Sequence, residues 1–260
     1  NRLAPDGPTW YSTTIGPVHV AVLDSYAGWA VGTKQADWLA KDLASVDRSA
    51  TPWVIVAMHA PWYSSYYKHY KTVECMRIAL EPIMVEHGVD LVFAGHIHAY
   101  ERSHRTVAWK PSACGPYHIT AGRKGKGETR TRALTPLYFL FTPPLLPPGD
   151  GGNSEKLYTT FVDPWGNATM PDEVACPPRE KGDACARKAE GPFCPGGVPA
   201  HTAFREPSFG HGVLEVQSAT RARWTWHRNR DGKKEAADAI VLTRGEELCA
   251  SVGGAPAGRA

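Results

Sequence analysis

The hydrophobic and polar positions of this chain change period several times along its length. Residues 18–23 (VHVAVL) are an apolar run of strand length. From Thr33 to Val46 the positions Ala36, Leu39, Leu43 and Val46 fall on one helical face, and Thr33 stands where an N-cap belongs. A second apolar run, TPWVIVAM (51–58), is led by Pro52 and ends at His59. Residues 73–87 return to the helical period, with Val73, Met76, Leu80, Ile83 and Met84 inward and Gly88 as the stop. VDLVFA (89–94) is the next strand, closed by Gly95 and His96. Strand, helix, strand, helix, strand predicts α/β units around a largely buried sheet.

The last third of the chain changes to period two. GVLEVQS (212–218) and RARWTWH (221–227) flank a short turn, and in the second run Ala222, Trp224 and Trp226 alternate with polar positions. An antiparallel strand with one buried face is expected there. RDG (230–232) reads as a turn, residues 237–243 as a further strand, and 250–260 as a frayed tail.

A length of 260 residues suits one sizeable core, and 42% hydrophobic with 21% charged residues is ordinary for a globular chain. The net charge of +3 gives no reason to expect nucleic acid or an anionic membrane as partner. No apolar run reaches the roughly 18 residues of a membrane span. The chain opens at Asn1 with no charged n-region or apolar h-region, so a removed leader or a missing N-terminal part is expected. None of the six cysteines forms a CxxC pair, which argues against a structural zinc site. Cys176, Cys185 and Cys194 lie nine apart in a Pro/Gly-rich stretch that would be loose without staples, which points to disulfides and a secretory route. The sequon at Asn167 points the same way, as a glycosylation site. Free thiols in an intracellular loop are the plainer alternative.

The candidate chemistry lies in histidines. With 11 His in the chain, roughly half an H-x-H is expected by chance, so His96-Ile97-His98 carries weight only through its setting. The strands 53–58 and 89–94 both end in histidine, and functional crevices of open α/β sheets lie outside the carboxyl ends of strands. In an extended stretch His96 and His98 face one way and Ile97 the other, while Gly95 lets the backbone turn. His59, His96 and His98 could form one zinc site or part of a two-metal site. Asp24 and Asp90 lie in no motif that recruits them. His87, next to Gly88, reads as a helix-end residue. His19, His104, His118, His201, His211 and His227 read as structural or surface residues.

These stretches resemble the plant-type purple acid phosphatases of the metallophosphoesterase superfamily. The likeness rests on PWVIVAMHAPWYSS, on VDLVFAGHIHAYERS, and on AFREPSFGHGVLEV and WTWHRNRDG further on. GDGGNSEKLY and the opening TWYSTTIGPVHVAVLDSY add to it. It covers most of the chain except about 123–148 and 165–200. The resemblance implies an α/β/β/α sandwich and a site of Fe(III) with a divalent ion (zinc, manganese or iron). It implies that His59 and His96 hold the divalent ion and His98 the ferric ion. It also implies that His69 protonates the leaving alkoxide of a small phosphate monoester. Lys68, where some relatives have a further histidine, would hold phosphate as a point charge. Tyr63, Tyr66, Tyr67 and Tyr70 are expected to line or rim the pocket. A homodimer is compatible with the likeness, Cys114 lying near an intersubunit disulfide of some relatives. The implied location is secreted, vacuolar or lysosomal.

Two departures stand out. The family's GDxG, GDxxY and GNHE motifs are absent ahead of His59, so only three of seven expected metal ligands are present and the chain reads as an inactive C-terminal fragment. The segment 123–148, with a basic head and a Leu/Pro/Phe tail, separates stretches the family keeps together, and reads as a retained intron or a lid loop. The expected layout is therefore 1–122 as half of a catalytic domain, 123–148 as an insert, 149–245 as its C-terminal region and 246–260 as a flexible tail. A phosphodiesterase or nucleotide pyrophosphatase, and a non-catalytic binding domain, are the competing readings.

Overall fold

The computed structural model describes residues 8–65, 71, 73–122, 199–206, 210–229, 235–244 and 249. Seven strands and two helices fill the first part. They are β1 (Tyr11–Ile15), β2 (Val18–Val22), α1 (Lys34–Ala44), β3 (Trp53–Met58), α2 (Glu74–Glu86), β4 (Leu91–Ala94), β5 (Tyr100–Val107), β6 (Lys110–Pro111) and β7 (Tyr117–Ala121). Four more strands follow: β8 (Thr202–Glu206), β9 (Gly210–Val216), β10 (Arg221–Arg228) and β11 (Asp238–Thr243).

The large sheet runs β1-β2-β3-β4-β7-β5-β6, with β8 also on β5. Its centre, β2 through β3 and β4 to β7, is parallel. Every residue of β3 is buried, as a central parallel strand covered on both faces requires. Thr33 caps α1 through its side-chain oxygen, which accepts the N–H of Ala36. The helices cover one face, where Leu39, Leu43, Met76, Leu80 and Met84 pack on Val54, Val56 and Met58. The other face is covered by the small sheet β11-β10-β9. There Ala222, Trp224, Trp226 and Leu242 meet Val20, Ile55, Leu91 and Phe93. Helix layer, large sheet and small sheet are three of the four layers of the expected sandwich; among the described residues a second helix layer is not seen.

Two expectations change. Cys114 is bonded within the chain to Cys249, with Cα atoms 4.5 Å apart, so it has no thiol to offer a second subunit. The same bond ties down position 249, inside the stretch read as a flexible tail. The insert 123–148, the RDG turn, Cys176, Cys185, Cys194 and Asn167 lie outside the described residues. Among the described residues, no helix is long and apolar enough to cross a membrane.

Candidate metal centre

Because β2, β3 and β4 are parallel, their carboxyl ends share one sheet edge. His59 follows β3 directly, and Gly95-His96 follows β4. The ladder between them continues one rung past the strands, Gly95 N–H donating to His59 O at 3.0 Å. The register Met58↔Ala94 thus sets the two histidines side by side. His59 Nε2 and His96 Nδ1 face each other at 3.0 Å, the rings at 72°.

The segment after β4 is not extended as the sequence suggested. Ile97 N–H donates to Gly95 O at 2.7 Å, and Ala99 N–H donates to Ile97 O at 2.8 Å. These are two successive three-residue turns, with His96 and His98 at their apices. His96 itself takes the left-handed conformation, φ 65°, which costs a residue with a Cβ roughly 1–2 kcal/mol. Gly95 O closes the first turn, but the positive φ falls on His96 rather than on the glycine. Ile97 is fully buried, as expected, but tight turns rather than strand pleating put it there. Gly122 makes room for them, since a Cβ at 122 would stand 1.7 Å from Ile97 O.

Burial, followed by the nearby imidazoles of His96 and His98, holds the pKa of His59 below the ordinary range. The three histidines are therefore electrostatic neighbours, and His59 favours its neutral ring. A neutral ring pair at 3.0 Å can share one proton as a hydrogen bond. It also fits one cation, since two nitrogens each about 2.0–2.1 Å from an ion stand about 3.0–3.4 Å apart. Among the described residues, no three His, Cys, Asp or Glu side chains converge to hold an ion. The donor set, two imidazoles in contact and a third beside them, fits part of a metal site rather than a closed one.

Other candidates fall elsewhere. Asp90, fully buried at the start of β4, accepts from Val54 N and Arg48 and serves the fold. Asp24, at the carboxyl end of β2, accepts the Tyr26 N–H. Tyr63 is no rim residue: it is buried, donates to Glu81 and accepts from Trp109 N, because the APWYSS loop folds inward under the sheet edge. His69, Lys68, Tyr66, Tyr67 and Tyr70 lie outside the described residues. His87 is the C-cap of α2. His104 is exposed, and His19 bonds to Asp42 at 2.7 Å. His211 and His227 stack as a cross-strand pair.

His118 and His201 are buried, the first lacking a hydrogen-bond partner at Nε2 and the second at both ring nitrogens. Burial drives both imidazole pKa values down to about 3. His201 Nε2 lies 4.0 Å from Glu101, beyond hydrogen-bond reach, and a neutral ring there forms no ion pair.

Two contributors escaped the histidine pattern. Ser25, three residues beyond β2, accepts the backbone N–H groups of His59 and Ala60. Glu101, on β5, accepts from Ser65 N and Thr202 Oγ1 and so holds the loop that follows His59. The strand-end argument applied to β2 points to Asp24, one residue short of Ser25; nothing in the sequence singles out Glu101.

Residues 13–100 match the model for the calcineurin-like phosphoesterases, and residues 185–238 that for the iron/zinc purple acid phosphatase-like protein C-terminal region. Purple acid phosphatase 15 of Arabidopsis thaliana is 37% identical over 251 residues, covering 96% of this chain and 42% of the relative. Fe(3+)-Zn(2+) purple acid phosphatase 12 of the same plant is 36% identical over 235 residues, covering 90% and 40%. The purple acid phosphatase PPD1 from yellow lupin seeds superposes with a TM-score of 0.58 at 19% identity, over 92% of this chain and 33% of that one. The chain therefore spans about two fifths of the length of the curated relatives it matches. On sequence and fold together, the chain has the calcineurin-like metallophosphoesterase fold and is similar to purple acid phosphatases over nine tenths of its length or more.

Proposed function

We propose that this chain supplies part of the active site of a metal-dependent acid phosphatase that hydrolyses small phosphate monoesters. The observation that carries the reading is the His59 Nε2–His96 Nδ1 approach of 3.0 Å at adjacent parallel strand ends. His59 and His96 would hold a divalent ion (zinc, manganese or iron), and His98 a ferric ion. When bound, such a centre neutralises phosphate oxygens as a Lewis acid and aligns the ester for in-line displacement. The chain's own residues do the rest. The two turns at 95–99 fix the directions of His96 and His98, and buried Ile97 anchors them. His69 would give a proton to the leaving alkoxide oxygen, and Lys68 would hold the phosphate by charge. The Cys114–Cys249 disulfide supports a secreted or vacuolar setting.

Three histidines are too few donors for two ions, and the GDxG, GDxxY and GNHE motifs are absent ahead of His59. The 260-residue chain by itself is accordingly inactive. The test is a fusion of this chain behind the segment of a relative that carries those motifs, offered a phosphomonoester and a phosphodiester at mildly acidic pH. Monoester turnover by the fusion, with none by the chain alone, is the expected result. Turnover by the unfused chain, or preference for the diester, would contradict it.

A further inference from the structure

The sheet edge that carries the histidines has a third loop, Asp24-Ser25-Tyr26. The last rung between β2 and β3 is Leu23 N–H to Ala57 O, at 2.8 Å, after which the chain leaves the sheet. His59 and Ala60 lie beyond that rung, so their N–H groups have no strand acceptor on this side. Ser25 Oγ accepts both, at 3.2 and 3.0 Å, and Ser25 is 7% exposed. On the opposite side His59 O is held by Gly95. The His59 backbone is thereby gripped from both neighbouring loops. The mount of Ser25 is itself fixed. Gln35, fully buried on α1, accepts the Asp24 N–H at 2.8 Å and donates to Asp24 O at 3.1 Å. Asp24 in turn accepts the Tyr26 N–H at 2.8 Å. The hydroxyl is therefore tied to helix α1 rather than carried on a free loop.

We infer that Ser25 is a positioning residue for His59. By holding the amides of 59 and 60 it sets the direction of the His59 Cα–Cβ bond, and so where Nε2 stands relative to His96. The inference rests on the reading of His59 and His96 as metal ligands. A ligand whose support is removed loses typically about 10–100-fold in metal affinity. Threonine keeps the oxygen, cysteine offers a weak acceptor, and alanine leaves two amides without one, that of Ala60 buried.

The experiment is a cobalt(II) titration of the 260-residue chain, read by visible absorption, beside thermal midpoints without metal. Ser25→Ala is expected to weaken cobalt binding about 10–100-fold, and Ser25→Thr to restore it to within a few-fold. An alanine variant with unchanged affinity, whatever its thermal midpoint, would overturn the inference and leave the serine a purely structural part. Should alanine fail to fold, Ser25→Cys is expected to bind more weakly than Ser25→Thr, and equal affinities would overturn the inference. A wild-type chain that binds no cobalt, or binds it equally after loss of His59 and His96, would instead overturn the ligand reading and the inference with it.

Discussion

Glu101 accepts the Ser65 N–H through both carboxylate oxygens, at 2.9 and 3.2 Å, and takes a third hydrogen bond from Thr202 Oγ1 at 2.8 Å. This joins β5 and β8 to the loop after His59, around a carboxyl that is 2% exposed. Burial raises its pKa, and the hydrogen bonds from Ser65 and Thr202, together with the charge of nearby Arg205, oppose that rise. Glu101→Ala leaves a buried amide and a buried hydroxyl without an acceptor. It is expected to lower stability by about 2–6 kcal/mol, at about 1–3 kcal/mol for each group left unsatisfied. Glu101→Gln, which keeps one acceptor oxygen, should lose less. Urea unfolding of the two variants gives the comparison.

His118 and His201 predict acid sensitivity. An unfolded imidazole takes up its proton near pH 6.5, whereas the folded rings resist protonation down to about 3. Between those limits the unfolded chain binds more protons, so stability rises with pH and is lost on acidification. Each ring adds up to about 1.4 kcal/mol per pH unit across that window. His201→Gln is expected to flatten the dependence by about one proton. Urea midpoints from neutral to mildly acidic pH provide the measurement, and an unchanged slope would show that His201 is not buried and neutral.

Gly122 carries a third prediction. No flexible side chain can yield to a Cβ there, because the atom it meets at 1.7 Å is a backbone oxygen of the histidine loop. Gly122→Ala should cost about 1–3 kcal/mol as an overpacked site. It should also displace His96 and His98, so that metal binding falls together with stability. Stability loss with normal metal binding would separate the two.

The Cys114–Cys249 bond closes a loop of 135 residues. Cys249→Ser is expected to cost about 2–5 kcal/mol, towards the upper end because the closed loop is long. Unfolding of this variant beside the parent chain tests it.

The sequence made the centre of the fold legible because hydrophobic period decides there. β2, β3, β4 and both helices follow from apolar spacing, and Trp224 and Trp226 declared the buried face of β10. β5 (YERSHRTV) shows no such period, yet most of it is buried. Its charges are matched by partners distant in sequence: Arg102 donates twice to Asp238, at 2.7 and 2.9 Å, and Arg105 donates to Gly115 O at 2.6 Å. Only the folded chain reveals such pairings. The histidines were legible because strand ends collect function. Their turn was not, because a histidine at φ 65° is a local cost met by tertiary contacts. Tyr63 was misread as a rim residue, since its inward packing depends on Glu81 and Trp109.

Whether His59 and His96 share one ion decides the metal centre. Calorimetric zinc titration of the chain, His59→Ala, His96→Ala and the double variant measures this. One ion per chain is predicted, with most of the affinity lost in either single variant and little more in the double, as two ligands of one ion require. Zinc affinity indifferent to both histidines would contradict the metal centre and the function built on it.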